Sequence, residues 1–255
     1  MAQRCKYQWQ QRYIRGRKER PGEAPVTGTA VHAGAERNFD QKIETFADLP
    51  AHELLEWYDD IGFPTVIRLE QEKAGTEILW DTGPDHARAR GRKMLAAYHQ
   101  EVSPRVQPTG AEGQISTDAF QLAVPMTGRY DVERESSVID LKTGKRKQST
   151  PKEAWRIQAA VYGEARGKPV EFHSVTATES GTVSIVTPLE SEALLLQPTP
   201  RERAQMSTSI RTVVAELDLC MELYGPDEDW PTTGRFHEWA CGYCGFRLGC
   251  PAWEE

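Results

Sequence analysis

Three cysteines crowd into the last part of the chain, Cys241, Cys244 and Cys250, while a fourth, Cys5, stands at the other end. Four thiolates suffice for a zinc ion or an iron-sulfur cluster, and either would draw the first residues against the last. A chain closed in this way has little freedom in where its termini go. The remaining cysteine, Cys220, falls in the helical pattern Leu217, Cys220, Met221, Tyr224 and reads as core. An odd total, with three thiols in one short segment, suits metal ligation in a reducing compartment better than disulfides, and so points to the cytoplasm.

At 255 residues, with 38% hydrophobic content and seven Trp, the chain is long enough for one large or two small packed cores. No apolar run approaches the roughly 20 residues needed to span a bilayer, and no secretory-type apolar stretch opens the chain. The opening is basic instead, with Arg4, Lys6, Arg12, Arg15, Arg17, Lys18 and Arg20 against Glu19. It resembles a transit peptide in composition, but Cys5 lies inside it and is expected to be retained. A net charge of -7 argues against a protein that coats nucleic acid over its whole surface. It leaves room for a local basic strip, for which the candidates are the opening and the run Lys142, Lys145, Arg146, Lys147, Lys152. A solvated charged face is the plain alternative for each.

Periodicity predicts helices over Thr27–Glu44, Glu53–Tyr58 and Asp85–Val102, the first capped by Thr27. From about Val106 the texture turns β-prone. Strands are predicted over Gly113–Pro125, Gly128–Glu133 and Ser137–Lys142, an antiparallel meander whose last turn is Glu133–Ser136. A helix over Pro151–Gly167 follows, then a hairpin of Glu171–Thr178 and Thr182–Thr187 about Ser180-Gly181. A long helix over Pro200–Tyr224 is broken by Gly225-Pro226. There is no internal repeat.

Side chains two apart on a strand share a face, so Asp140 and Lys142 project together while Leu141 faces the core. If Asp131 lies on the neighbouring strand, its carboxylate approaches that of Asp140. Two close like charges are costly unless a divalent cation lies between them, which predicts Mg²⁺ or Mn²⁺. Alone, an Asp-x-Lys triplet is a weak signal, since exposed strands produce it by chance. Thr143-Gly144-Lys145 is no phosphate loop, because Ile139 and Arg146 stand where that motif needs Gly and Ser or Thr.

Gly128-Arg129-Tyr130-Asp131, followed by Val138-Ile139-Asp140-Leu141-Lys142-Thr143-Gly144, resembles the RecB-like branch of the PD-(D/E)xK nucleases. The resemblance implies an α/β, restriction-endonuclease-like fold: a mixed central sheet flanked by helices, behind a helical N-terminal region. It implies that His32, in Gly28-Thr29-Ala30-Val31-His32, joins Asp131, Asp140 and the Leu141 carbonyl as metal ligands. Gln158 and Tyr162, one helical turn apart, would hold the DNA strand or orient Lys142. Glu112 loosely matches an acidic residue of the preceding strand and reads equally well as a surface turn residue.

Cys241-x2-Cys244-x5-Cys250 with a distant Cys5 is similar to the 4Fe-4S staple of several RecB-like nucleases, among them the CRISPR-associated exonuclease family. Trp239, Tyr243, Phe246 and Trp253 would shield the cluster, and zinc is the alternative occupant. The implied division is a segment 1–105 carrying the first cluster cysteine, a nuclease core 106–225 and a cysteine-rich tail 226–255. The implied activity is a metal-dependent exonuclease acting on single-stranded DNA or DNA ends, working with recombination, repair or CRISPR-adaptation proteins and away from membranes. Two other readings stand beside it: a non-catalytic DNA-binding or adaptor subunit, and a cluster that senses redox state and gates DNA binding.

Overall fold

Alternation along Val138–Gly144 (β5) decides how the sheet sits between its helical layers. Ile139 and Leu141 enter one hydrophobic layer, and Asp140 and Lys142 face the other way. The computed structural model describes residues 5–232, 241, 244–246 and 249–252. The expected aromatic shield residues Trp239, Tyr243 and Trp253, and basic Arg4, lie outside them. The chain divides into two compact units: Gly22–Leu69 with Trp80–Met206, and Met1–Pro21 with Glu70–Leu79 and Ser207–Glu255.

In the larger unit the first element is α2 (Glu23–Thr45), numbered after α1 (Lys6–Tyr13) of the smaller unit. It begins a turn before the expected Thr27, with Gly22 as N-cap. Thr27 does not cap it: its hydroxyl bonds back to the Glu23 carbonyl at 2.8 Å. The start is fixed by Glu23 itself, whose buried carboxylate accepts from Thr82 and Asp81 backbone N–H groups and from Arg90. Next come α3 (Ala51–Trp57), a π-turn (Tyr58–Gly62) and α4 (Phe63–Ala74), of which only the residues up to Leu69 belong to this unit, then α5 (Pro84–Glu101). The prediction gave α3 and α5 but neither the π-turn nor α4.

The sheet is mixed, as the resemblance implied. Its order is β1 (Gly110–Ala111), β4 (Val132–Glu133), β5, β6 (Val170–Ala177) and β7 (Val183–Val186), with β8 (Leu195–Leu196) also paired to β6. β5 and β6 run parallel, joined through α6 (Glu153–Arg166), and the other pairs are antiparallel. β6 is buried along its whole length, as a central strand of a sheet covered on both faces must be. One covering layer is α2 and α5. Val31, Ala35 and Phe39 from the first and Met94, Tyr98 and Val102 from the second meet Ile139, Leu141, Val175 and Ala177. On the other face α6 presents Trp155, stacked on Phe172 at 5.1 Å. No helix among the described residues is long and apolar enough to cross a membrane.

β2 (Gln114–Thr117) and β3 (Met126–Arg129) leave the main sheet as a two-stranded arm. The expected strands Gly113–Pro125 and Gly128–Glu133 are therefore shorter and interrupted: one hairpin bends where β1 gives way to β2 and β3 to β4. Both bends carry acidic residues, Glu112 at φ 48 and Asp131.

In the smaller unit α1 is bolted to the segment after α7 (Pro200–Tyr224). Trp9 stacks on buried Trp230 at 5.6 Å, and Gln10 donates to the carbonyls of Pro226 and Glu228 while accepting from Trp230 N–H. The Tyr7 hydroxyl donates to the Gly249 carbonyl at 2.6 Å. The beginning and end of the chain thus meet through hydrogen bonds and ring stacking.

Candidate metal and active site

Strand register brings the acidic residues together. Gly110 faces Glu133 across the hairpin and Gln114 faces Arg129, so the same register sets Glu112 opposite Asp131. The Glu112 N–H donates to the Asp131 carbonyl at 2.9 Å, which carries the pairing through the bend. On the other side Val132 faces Ile139, and one step further sets Asp131 opposite Asp140. Three acidic residues thus stand at neighbouring backbone positions across three chain segments. Like charges at neighbouring positions are costly unless compensated, and Arg129, Lys142 and His32 each stand beside one of them.

Asp131 is the pivot of the row. Because it sits in a bend, its carboxylate turns to serve both layers. Oδ2 accepts the Leu141 N–H at 2.5 Å, on the β5 edge that β4 has left, and Oδ1 lies 3.0 Å from His32 Nδ1. His32, Glu112 and Asp131 offer ligand atoms that all lie within 4.8 Å of one another. The Asp140 carboxylate is outside that group and points to the α6 side. There Oδ1 accepts from Gln158 Nε2 at 2.6 Å, while Lys142 Nζ is 2.5 Å from Oδ2. That last contact is a close ion pair, so the buried Oδ2 takes its compensation from the Lys142 ammonium. Gln158 also accepts from Lys142 Nζ at 2.7 Å and donates to the Tyr162 hydroxyl, which in turn donates to the Arg129 carbonyl. Of the residues singled out in the sequence, His32, Asp131, Asp140, Leu141, Lys142, Gln158 and Tyr162 are connected in one constellation.

Glu112, left open by the sequence, belongs beside them. No local pattern could mark it, because its place depends on pairing across the hairpin and on a positive φ that a non-glycine residue seldom adopts. Arg129 Nε holds it, at 2.7 Å from its carboxylate and 2.9 Å from its carbonyl.

The electrostatics match the geometry. Burial, then the neighbouring Asp131 charge, pushes Glu112 up to about 7. Asp140 is raised in the same way, by burial first and Asp131 next, against the opposing pull of Lys142 and His32. For His32, burial alone would lower the pKa, but the hydrogen bond and charge of Asp131, with Asp140 and Glu112, outweigh it and raise it. Asp131 is thus the negative charge that all three neighbours feel. Carboxylate oxygens with one imidazole form a donor set that suits Mg²⁺ or Mn²⁺.

The site opens into a cleft of about 710 Å³ lined by Ala24, Gly28, His32, Glu112, Arg129 and Thr143, among others. Gly28 lets α2 reach β5: a methyl group there would come within 2.6 Å of Thr143 Oγ1. His32 follows one helical turn later, so this close approach sets its distance from Asp131. Gly28→Ala is expected to weaken Mn²⁺ binding about tenfold, as losses of supporting contacts around metal ligands commonly do. Adding Thr143→Ala should restore most of it, and calorimetric titration of the two variants checks this.

The four thiols lie in the smaller unit. Cys5 caps α1, accepting the Gln8 N–H at 3.5 Å. Burial raises the Cys250 thiol, offset in part by the Ala252 N–H and reinforced by Cys5, Cys241 and Asp229. Burial likewise raises Cys244, with Glu19, Cys5 and Cys250 adding to it. Among the described residues no three of these sulfurs lie within 4.8 Å of one another.

A family model described as the PD-(D/E)XK nuclease superfamily matches residues 2–251. Among solved structures the chain is similar to SSO0001, at 13% identity over 87% of this chain and 98% of that one, with a TM-score of 0.40. It is also similar to a protein of Eubacterium rectale described as a candidate exonuclease, at 14% identity over 81% and 84%, with a TM-score of 0.39. No curated protein matches.

Proposed function

The chain belongs to the PD-(D/E)XK nuclease superfamily, and from that premise we propose that it is a Mg²⁺- or Mn²⁺-dependent DNA exonuclease of the RecB-like branch, acting on single-stranded DNA or DNA ends. The observation that carries the reading is Asp131 set opposite both Glu112 and Asp140, with His32 at 3.0 Å.

His32, Glu112, Asp131 and Asp140, with the Leu141 carbonyl, would hold the ion. A divalent ion there supplies Lewis acidity toward a phosphate oxygen and lowers the pKa of a water. The chain's own groups do the rest. Lys142 directs its ammonium at the reacting phosphate and offsets the negative charge that develops on it. Gln158 and Tyr162 fix Lys142 and Asp140 in one hydrogen-bonded line, so that neither has to reorganise during the reaction. The cleft beside His32 and Glu112 is open to a strand from solvent, and the Asp140 carboxylate lies buried next to it.

Cys5, Cys241, Cys244 and Cys250 would hold a 4Fe-4S cluster, supported by the mutual influence of their thiols and by the resemblance of their spacing. Its role is structural, tying α1 to the tail, and a reducing cytoplasm suits it. Protein purified without oxygen should carry about four iron and four sulfide per chain. Cys250→Ser should lose both and melt at lower temperature while its residual cleavage keeps the same metal dependence; iron analysis and calorimetry decide.

The functional test is digestion of 5′-labelled, 3′-labelled and circular single-stranded DNA with Mg²⁺, Mn²⁺ or EDTA. Metal-dependent loss of the linear substrates with the circle spared supports the exonuclease and gives its polarity. Binding without cleavage would return the chain to the adaptor reading, and digestion of the circle would make it an endonuclease.

A further inference from the structure

Beyond the site itself, the segment that leaves β5 carries an imbalance of charge the nuclease chemistry does not use. From Lys145 to Arg156 it holds Lys145, Arg146, Lys147, Lys152 and Arg156 against Glu153, in a chain whose net charge is -7. Lys145 lies 3.5 Å from Asp81 and 3.7 Å from Glu179. Arg146, Lys147, Lys152 and Arg156 are exposed, and none has an ion-pair partner among the described residues. Exposed cations concentrated on one stretch of chain give it a local positive potential that attracts an anionic ligand.

The strip is joined to the reacting centre through one ring. Trp155 is buried and stacked on Phe172, and it receives two ammoniums: Lys142 Nζ at 5.8 Å from its centroid and Lys152 Nζ at 5.9 Å. Lys142 also lies 5.5 Å from the Phe172 centroid. The indole thus packs against the lysine of the site on one hand and the edge of the basic strip on the other. The strip lies past the carboxyl end of β5, where ligands of parallel strand pairs enter.

We infer that Lys145–Arg156 is the surface that receives the phosphate backbone of a single-stranded DNA, leading it past Trp155 to Lys142. The inference rests on DNA being the substrate proposed above. A phosphate backbone matches these cations in charge and can follow the segment on which they lie. It also explains how a polyanion approaches a site whose nearest side chains are carboxylates.

The test is binding of a 5′-fluorescein-labelled single-stranded oligonucleotide by full-length Asp140→Asn protein in Mg²⁺, followed by anisotropy over a series of salt concentrations. If that variant does not fold, wild-type protein in EDTA replaces it. The parent should show a salt slope of several units. Arg146→Ala combined with Lys147→Ala should weaken binding about tenfold at low salt and reduce the slope by about 1.4, at roughly 0.7 per phosphate contact on a single strand. Lys152→Ala should act in the same direction with about half the change in slope. Lys73→Ala, an exposed cation of α4, should track the parent. Equal affinities and slopes for the strip variants and the parent overturn the inference, as does a Lys73→Ala effect of the same size. The digestion of wild-type protein stands apart from this: a chain that binds through the strip but never cleaves keeps the inference and loses the nuclease reading.

Discussion

Asp131→Asn should lower cleavage of single-stranded DNA by about a thousandfold or more, since removing one charged member of such a site forfeits several kcal/mol of charge stabilisation. The amide keeps an oxygen for the Leu141 N–H, so the local backbone survives, while the charge opposite Glu112 and Asp140 is gone. Metal-free stability should therefore hold or rise, because the row of carboxylates repels less. Wild-type protein should melt higher when Mn²⁺ is added in excess, by linkage of binding to the folded state, and Asp131→Asn should show no such shift. Lys142→Ala should separate the two properties: cleavage is lost to a comparable degree, and the Mn²⁺ shift remains. Kinetics on a labelled strand and thermal melts with and without Mn²⁺ check all three proteins. Full cleavage by Asp131→Asn and Lys142→Ala would remove the site from consideration.

Glu171→Ala should cost about 3 kcal/mol, within the range for breaking one side of a buried ion pair, and lower the melting temperature by about 10 °C for a chain of this size. Glu171 sits on β6 with little solvent access. It accepts from Ser137 Oγ at 2.6 Å and from Arg134, and its other oxygen lies 3.3 Å from His173 Nε2. His173 Nδ1 in turn meets the Tyr98 hydroxyl at 2.9 Å, inside the α5 layer. Removing the carboxylate leaves Arg134, Ser137 and His173 facing a void with no acceptor. Burial alone would raise the Glu171 pKa, but the hydrogen bonds from His173 and Ser137 and the charges of Arg134 and His173 outweigh it and hold it at about 2. An unfolded Glu titrates near 4.3. The stabilisation is therefore complete above about pH 4.5 and is lost as pH falls toward 2. Urea midpoints of wild-type protein should fall through that window, and Glu171→Gln should flatten the fall. An unchanged acid limb in Glu171→Gln would show that other carboxylates carry it; Glu133, held low by Lys168 and Arg166, is the next in line.

Both predictions rest on features that differ in how far they could be read from the sequence. Asp140 and Lys142 share a face because a strand has period two, and Gln158 and Tyr162 share one because a helix turns every 3.6 residues. The run Ser137–Lys142, the helix carrying Gln158 and the break at Gly225 are equally local, and the structure has them within a few residues of expectation. α1 offers periodicity no apolar stripe to find, because its buried face sets Tyr7 beside two glutamines, Gln10 and Gln11. Thr27 has the residue type of a cap, yet the helix begins where Glu23 finds Arg90 and the Asp81 and Thr82 N–H groups, far off in sequence.

What the chain determined by its sequence alone was the set of residues capable of the chemistry and the faces on which each local element presents them, because those follow from backbone period and residue type. What only the tertiary structure decided was their meeting: the register that continues through two bends to set Glu112 and Asp140 on either side of Asp131, the close approach at Gly28 that brings His32 to them, and the ring of Trp155 shared by Lys142 and Lys152. Such meetings depend on how separate elements pack, and the residues concerned lie too far apart along the chain for any local pattern to record it.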